Sequence, residues 1–366
     1  MREEVETVRE PAAPPRRGRM VEGFAAVPRI DPLPPGTARP LWSVMIPVYN
    51  GTDYLRETLR SVLREPSIAE MQIEVVDNCS DRDDPEALVH ELGRGRVQFH
   101  RQPHNVGPIE NFNTCIRRAR GEWVHILHSD DLVLPGFYSR AWNGLFVGPD
   151  IGAALCRIVH IDEHGRNACY SGDRYLSELE APQRTVLGRD FADRLFLNQR
   201  IQFAGMAVRR STYERLGGFR PELVHCADWD MWIRIALATR IFYEPEPFAC
   251  FRLHAQADSS AKVRTGQNVV DQRRAIRLAS TYVPPQQARR TCRSAMHAAA
   301  VEAMARARRL WKAGDRAVAL RQAWQALRCS LAPGIVLRLG YFLLYAATNS
   351  GRGANGRAKA THQSSG

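Results

Sequence analysis

The sequence VHILHSDD at residues 124–131 decides the fold of this 366-residue chain. Its largely apolar start predicts a buried strand, and Asp130 and Asp131 follow at the end of that strand. Two adjacent carboxylates repel each other and are costly to remove from water. Mg²⁺ or Mn²⁺ would compensate them, because these ions are usually held by carboxylates together with substrate phosphates. The stretch therefore predicts a metal site for a phosphate-bearing ligand, or, more simply, a turn in which aspartate is common.

Short apolar segments alternate with segments of helical periodicity in the residues that lead up to this stretch. Strands are predicted at 43–47, 73–77, 97–101 and 123–127, and helices at 52–63, 85–92 and 109–119. Such alternation predicts βαβ units and a mostly parallel sheet, in which ligands bind beyond the carboxyl ends of the strands. The polar pairs Tyr49-Asn50, Asp77-Asn78 and Asp130-Asp131 each follow a strand, so we expect them to converge on one crevice.

The chain divides into three parts by composition. Residues 1–40 are rich in Pro, Arg and Glu without periodicity and predict a disordered leader. Residues 41–260 carry the α/β pattern, with later strands at 151–160, 203–208, 241–244 and 248–254 and a helix from Asp228. Residues 261–366 form a basic helical region with a disordered tail, since the β pattern ends near Ser260.

The positive charge is concentrated at the C-terminal end. The net charge is +12, but the residues from Lys262 onward hold 19 basic and 3 acidic side chains. A local partner surface is therefore indicated. Nucleic acid is not the expected partner, because the basic residues are not interleaved with aromatics and no recognition motif is present. The eight cysteines are scattered without a CxxC pair, which is typical of reduced thiols in the cytoplasm.

Two helices are predicted near the C-terminus, at residues 313–331 and 334–347. The first has an apolar face and arginines elsewhere, so it either packs on the main domain or lies on an anionic membrane. No apolar run reaches the roughly 18–20 residues that a spanning helix needs, and no secretory signal is recognised. We therefore expect a cytoplasmic protein. If the C-terminal helices lie on a membrane, the protein would also be peripheral at the inner face of the plasma membrane.

Seven motifs occur in a fixed order over about residues 41–256. They are SVMIPVYN (43–50), EVVDNCSD (74–81), NVG (105–107), GEWVHILHSDD (121–131), RRSTYERLGGF (209–219), DWDMWIR (228–234) and FRLH (251–254). In this order and spacing the chain resembles the family 2 glycosyltransferases. The resemblance implies an α/β GT-A fold, in which a Rossmann-like mixed sheet is flanked by helices, here with a C-terminal helical extension. It also implies a nucleotide-diphosphate sugar donor, Mn²⁺ or Mg²⁺, and inversion by a single displacement.

The resemblance also implies which residues meet the donor. In similar enzymes the end of the first strand packs on the base and ribose of the nucleotide. Asp77, at the end of the second strand, can accept hydrogen bonds from a base or from ribose hydroxyls, or form a local turn. Asn78 stands where the family often has a second acid. The implied donor-binding set is Pro47, Tyr49, Asn50, Asp77, Asn78, Asn105 and Asp130.

The remaining implied residues concern the metal and the chemistry. Asp131 is the expected direct metal ligand, and His254 is expected to reach the metal or the diphosphate, whereas His128 replaces an acid found in many relatives. Asp228 matches the family's catalytic acid and would take a proton from the acceptor hydroxyl. Alternatively Asp228 caps its helix, whose positive end would keep the carboxylate ionised.

The sequence thus predicts an inverting, metal-dependent glycosyltransferase of cell-surface polysaccharide or glycan assembly, with a saccharide or lipid-linked acceptor. Two alternatives stay open at this stage. One is a nucleotidyltransferase built on a similar sheet, and the other is a non-catalytic protein that binds nucleotide sugars. The altered positions His128, Asn78 and Ala227 favour the second alternative.

Overall fold

The computed structural model describes residues 26–66, 70–140, 142, 148, 150–170 and 184–348, and its centre is a ten-stranded mixed sheet. The strands are β1 (Trp42–Val48), β2 (Gln72–Asp77), β3 (Gln98–Arg101), β4 (Trp123–Ile126), β5 (Leu132–Val133), β6 (Ile151–Ile161), β7 (Asn167–Tyr170), β8 (Thr185–Leu187), β9 (Met206–Arg209) and β10 (Arg240–Arg252). The helices are α1 (Thr52–Leu63), α2 (Pro85–Gly93), α3 (Pro108–Arg118), α4 (Arg189–Leu197), α5 (Arg210–Leu216), α6 (Ala227–Ala238), α7 (Asp258–Thr265), α8 (Gln267–Ala279), α9 (Pro285–Lys312), α10 (Arg316–Cys329) and α11 (Pro333–Thr348).

The main strand order is β3-β2-β1-β4-β9-β6-β10-β5, with β7 paired to β6 and β8 to β10. The first four strands are parallel, so the expectation of a parallel sheet holds there. In the second half β6 and β10 also pair in parallel, whereas β9 runs antiparallel to both β4 and β6. The expected mixed GT-A-like sheet flanked by helices is confirmed.

Strand β1 shows why the centre of the sheet is fixed. Its side chains alternate between the two faces, as the pleat requires. Met45 joins the apolar core on one face, whereas Val44 and Ile46 join the core on the other. Helix α1 covers the second core with Leu55 and Leu59, which are four residues apart and therefore share one helical face.

Strand β10 departs from the sequence prediction of two separate strands. It is one strand from Arg240 to Arg252, and its pairing with β6 shifts register around Pro247. Proline has no amide hydrogen to donate, so Pro245 and Pro247 interrupt the ladder locally without ending the strand. The region predicted as a strand from residue 203 instead begins with a 3₁₀ turn at Phe203–Gly205.

The prediction of a disordered leader up to residue 40 is wrong for residues 26–40. Ile30 is buried in the main core, and the guanidinium of Arg210 donates to the carbonyl oxygen of Asp31 at 3.1 Å. The amide of Gly218 donates to the carbonyl oxygen of Pro28 at 2.7 Å. These contacts hold the segment against the domain, while residues 1–25 lie outside the described part of the chain.

The C-terminal helices form two groups. Ile276 of α8 and Ala299 of α9 belong to the same core as α6, so the region after residue 260 packs directly on the sheet domain. The end of α9, α10 and α11 enclose a smaller core that includes Ile335 and Phe342. Among the described helices, none combines the length and apolarity needed to cross a bilayer. The predicted tail, residues 349–366, lies outside the described chain.

Candidate active site

The structure brings the polar residues at the ends of β1, β2 and β4 to one edge of the sheet. The three strands are parallel neighbours, with Val48 opposite Asp77 and Met45 opposite Ile126. The amide of Asn78 donates to the carbonyl oxygen of Val48 at 2.8 Å, which ties the two loops together. The strand ends that the sequence predicts to converge therefore do lie together at this edge.

The end of β1 presents one exposed aromatic ring. Pro47 is buried in the sheet, whereas Tyr49 is 44% exposed. Asn50 has a positive φ of 50°, and its side-chain oxygen accepts from the amides of Asp81 and Arg82 at 3.0 Å. Asn50 is therefore occupied in shaping the turn, and Tyr49 is the side chain of this segment that is free to pack on a ligand.

Asp77 forms a local turn, which was the alternative reading of its role. Its carboxylate accepts from the hydroxyl and the amide of Ser80 and forms an ion pair with Arg101 at 3.3 Å. Asn78 donates to the side-chain oxygen of Asn105 at 2.9 Å. The predicted donor-binding residues Asp77, Asn78 and Asn105 are thus brought together. The carboxylate of Asp77, however, is used in hydrogen bonds that shape the loop after β2.

The two aspartates after β4 have different environments. Asp131 is fully buried, and its Oδ1 accepts from the amide of Arg252 at 2.9 Å, while its Oδ2 has no protein partner. Burial, together with the adjacent Asp130, raises the pKa of Asp131 well above its usual range. Burial is the largest influence on Asp130 and acts to raise its pKa, but the hydrogen bond with His254 at 3.0 Å and the charges of His128 and His254 together leave that pKa below the usual value.

His128 belongs to the same cluster, although it stands where many relatives of the family have an acid. His128, Asp130 and Asp131 each place one ligand atom within 4.8 Å of the others. The Nε2 of His128 and the Nδ1 of His254 are buried without a protein partner. Burial lowers the pKa of His128, so its ring is neutral near pH 7 and retains a lone pair.

Arg252 holds this cluster in place. Besides the contact of its amide with Asp131, its side chain donates to the carbonyl oxygen of Asp130 at 2.9 Å and to Glu57 at 2.6 Å. The guanidinium also lies 4.6 Å from the ring centre of Tyr54. A buried arginine used in this way fixes the backbone of the acid pair and is not a free cation.

Asp228 lies at the second position of α6, and the structure defines both of its hydrogen bonds. Its Oδ1 accepts from the amide of Trp229 at 2.7 Å, and its Oδ2 accepts from Gln199 at 2.5 Å. Burial raises the pKa of Asp228 to about 7. The helix N-terminus therefore does not hold this pKa at its usual low value, because desolvation outweighs the hydrogen bonds to the carboxylate, which is about half ionised at pH 7.

Asp230, two residues further along α6, has a structural role. Its buried carboxylate accepts from Arg234 at 2.9 Å and from the hydroxyl of Tyr282 at 2.6 Å. The two acids of the DWD sequence therefore differ in exposure. Asp230 is buried in contacts with other side chains, whereas Asp228 remains partly accessible.

The sequence did not reveal two residues that support Asp228. Gln199 contacts it from 29 positions away in the chain. Asp271 of α8 accepts from the amides of His225 and Cys226 at 2.7 and 2.9 Å, and its negative charge contributes to raising the pKa of Asp228. Neither residue lies in a local pattern, so only the folded chain shows that they converge on the start of α6.

Comparison with known proteins agrees with this fold. In an α/β sheet of this kind ligands bind beyond the carboxyl ends of the strands, which is where these acids lie. Residues 43–216 match the model of the family described as Glycosyl transferase family 2. The family expected from the sequence motifs is thereby confirmed.

Individual relatives give further detail. The succinoglycan biosynthesis protein ExoO of Rhizobium meliloti is 33% identical over 160 residues, which are 43% of this chain and 42% of ExoO. TarS of S. aureus, solved in complex with UDP-GlcNAc, has a TM-score of 0.55 at 17% identity and matches 70% of this chain and 72% of its own. The mannosyltransferase PcManGT of Pyrobaculum calidifontis, solved with GDP-Man and Mn²⁺, has a TM-score of 0.52 at 20% identity, covering 83% and 90%. At these identities the two structures support the fold.

Proposed function

We propose that this protein is an inverting, metal-dependent glycosyltransferase that moves a sugar from a nucleotide-diphosphate sugar to an acceptor hydroxyl. The observation that carries the proposal is the presence of two distinct acidic groups around one edge of the sheet. One is the His128–Asp130–Asp131 cluster, and the other is Asp228. The charge of Asp258, at the start of α7, acts on both His128 of the cluster and His225, three residues before Asp228, so this aspartate lies near both groups.

The cluster is suited to a divalent cation. It offers carboxylate oxygens and imidazole nitrogens, several of them buried without a protein partner. Such buried atoms are costly unless something satisfies them, and mixed oxygen and nitrogen donors suit Mn²⁺. Asp131 and His254 would hold the ion, with Asp130 beside them on the donor side. A bound cation would supply positive charge to the diphosphate of the donor.

Asp228 is proposed as the general base. As the acceptor oxygen attacks the anomeric carbon, the bond from that carbon to the diphosphate oxygen breaks, and the acceptor proton moves to the carboxylate of Asp228. This single displacement inverts the anomeric configuration. A base is most effective when its pKa lies near the working pH, and the value of about 7 for Asp228 meets that condition.

Substituting Asp271 tests how the base is tuned. We expect Asp271→Asn to move the rise of the transfer rate with pH to lower pH, because removing a negative charge makes Asp228 easier to ionise. Asparagine keeps an oxygen that accepts from the amides of His225 and Cys226. The measurement is the pH–rate profile, with Asp193→Asn on the exposed side of α4 as the control. An unchanged midpoint combined with a lower melting temperature would limit Asp271 to a structural role.

Tyr49 is proposed to stack on the base of the donor. We expect Tyr49→Ala to weaken nucleoside diphosphate binding by about 5- to 100-fold, in keeping with the roughly 1–3 kcal/mol of an aromatic–base stack. Tyr49→Phe keeps the ring and should bind nearly as well as wild type. The hydroxyl that it removes forms only a long, weak hydrogen bond with Asp81, at 3.5 Å. Calorimetric titration with UDP and GDP in the presence of Mn²⁺ measures both. Equal losses in the two variants would point to the hydroxyl and not to the ring.

The acceptor is proposed to be a saccharide or a lipid-linked saccharide in polysaccharide assembly. The similarity to ExoO, a succinoglycan biosynthesis protein, supports this assignment. Seven cysteines of the described chain are free thiols, which suits a reducing compartment such as the cytoplasm. The donor is proposed to be of the kind seen in the structural neighbours, UDP-GlcNAc or GDP-Man.

A panel of nucleotide sugars incubated with Mn²⁺ tests the proposed function. We expect slow metal-dependent hydrolysis of one donor, with release of the nucleoside diphosphate, and faster release when a suitable acceptor is added. Donor binding without turnover under any condition would favour the sugar-nucleotide-binding alternative. Release of pyrophosphate from a nucleoside triphosphate and a sugar phosphate would favour a nucleotidyltransferase.

A further inference from the structure

The last two helices carry an exposed apolar surface. On α11, Ile335, Phe342 and Ala346 face the interior, whereas Leu337, Tyr341 and Leu344 recur at helical spacing on an outward face. Leu337 is 73% exposed, and Trp324 of the adjacent α10 is 61% exposed. We define the outward surface as the C-terminal apolar face, formed by Leu320, Trp324, Leu331, Val336, Leu337, Tyr341, Leu343 and Leu344.

Such a surface is unusual for a helix that borders only water. The sole charged side chain of α11 is Arg338, so neither side of this helix has the polar composition of a solvated face. A contiguous exposed apolar patch normally marks a site of contact with another molecule or a membrane. The patch therefore requires an occupant.

The surrounding charge identifies that occupant. Asp315 is the only acidic residue between residues 306 and 348. The exposed basic residues of the same segment are Arg308, Arg309, Lys312, Arg316, Arg321, Arg328 and Arg338. A second copy of the chain would bring the same positive charge against this face, which disfavours self-association. An anionic surface with an apolar interior satisfies both the charge and the exposed side chains.

We propose that the C-terminal apolar face seats the protein in the interface of an anionic lipid bilayer. Helix α11 has 16 residues, about 24 Å at 1.5 Å per residue, and lies along the surface of the domain. Arg308 lies 5.6 Å from the ring centre of Tyr341 and 5.8 Å from that of Tyr345. Tyrosine and tryptophan with neighbouring arginines are the side chains that occupy the boundary between headgroups and acyl chains. The sequence beyond Thr348 adds Arg352, Arg357 and Lys359 and no acid.

Flotation of the full chain with lipid vesicles tests the proposal. Vesicles of phosphatidylcholine with phosphatidylglycerol should carry the wild-type protein, and phosphatidylcholine alone should carry much less. Added salt should release part of the bound protein, because it screens the attraction. The triple variant Trp324→Ala/Leu337→Ala/Leu344→Ala should lose flotation on both vesicles. Its melting temperature should stay near that of wild type, since all three side chains are exposed.

A charge variant separates the two parts of the surface. Arg309→Gln/Lys312→Gln/Arg338→Gln should bind anionic vesicles on the order of 100-fold more weakly, because each cation near the surface strengthens binding about fivefold. The matched control Arg64→Gln/Arg94→Gln/Arg96→Gln removes three exposed charges near α1 and α2 and should bind as wild type. Flotation does not involve the sugar donor, so its outcome is independent of glycosyl transfer.

Two results would overturn the proposal. One is a wild-type protein that stays unbound with anionic vesicles at low salt. The other is a wild-type dimer in light scattering that becomes a monomer in the apolar triple variant while flotation is unchanged, which would assign the face to a second copy of the chain.

Discussion

Asp228→Asn should lower the rate of glycosyl transfer by about 10²–10⁴-fold, the usual contribution of a positioned general base. Asparagine has nearly the same size as aspartate, and its oxygen accepts from the amide of Trp229 as Oδ1 does now. It cannot take the proton of the acceptor hydroxyl. Binding of the donor should change little, because the carboxylate is placed to act on the acceptor.

The pH dependence gives this prediction its second part. With a pKa of about 7, Asp228 is protonated in acid, so the wild-type rate should rise with pH through about 7. The asparagine variant has no such group and should lose this limb of the profile. A transfer assay over the pH range, run alongside calorimetric titration with the donor, measures both properties. A variant that loses donor affinity in step with rate would reassign Asp228 to donor binding.

The same substitution should lower the transfer rate but raise the stability relative to wild type as the pH increases. Asp228 has a higher pKa in the folded chain than the value of about 4 in the unfolded chain. Its contribution to stability is therefore full below about pH 4 and is lost as the pH rises through about 7. The melting temperature of Asp228→Asn relative to wild type should increase between about pH 5 and about pH 8. Asp193→Asn, the same change on α4, should show no such trend.

The first half of the fold follows from local patterns in the sequence. The apolar strands and the spacing of Leu55, Leu59 and Val62 in α1 are properties of a few neighbouring residues. They predict both the element and the face that it buries. The parallel order of β1, β2 and β4 then places their polar ends together, which is why the convergence of these residues could be predicted from the sequence.

The second half depends on contacts between distant residues. The pairing of β6 with β10 and the antiparallel β9 between β4 and β6 have no local signature. The same holds for Ile30, whose burial depends on helices that lie more than a hundred residues further along. Composition alone made the segment around Ile30 look disordered, because a single apolar residue is a weak signal among prolines.

The site shows a similar division. The motif order predicted roles for Asp131, His254 and Asp228. In the structure Asp131 lies in one cluster with Asp130, and His254 forms a hydrogen bond with Asp130. The raised pKa of Asp228 could not be predicted from the sequence. It reflects burial and the position of Asp271, and neither can be inferred from the residues that neighbour Asp228 in the chain. The sequence indicates His128 as a departure from the family pattern, whereas the structure places it beside the two acids with its Nε2 buried and unpartnered.

Asp131→Asn should weaken Mn²⁺ binding by at least about 100-fold and lower metal-dependent transfer by about 10²–10⁴-fold, since a metal ligand contributes several kcal/mol. Asparagine keeps the oxygen that accepts from the amide of Arg252, so the loop should keep its shape. It replaces the unpartnered Oδ2 with a neutral NH₂ group, which cannot bind a cation. Titration of Mn²⁺ followed by electron paramagnetic resonance, with nucleoside diphosphate present, measures the affinity directly.

The control and the thermal behaviour make this test independent of activity. Asp258→Asn removes an exposed carboxylate near His128 and should keep wild-type Mn²⁺ affinity. Because a ligand that binds only the folded state raises its melting temperature, Mn²⁺ should stabilise wild type and Asp258→Asn but not Asp131→Asn. Without metal, wild type and Asp131→Asn should melt at similar temperatures, since burial disfavours the charged form of Asp131 and asparagine keeps the hydrogen bond from the amide of Arg252. If Asp131→Asn binds Mn²⁺ as wild type does, Asp131 is a structural carboxylate, and the cation belongs to Asp130 and His254. If transfer also survives EDTA, the donor diphosphate is bound without a metal.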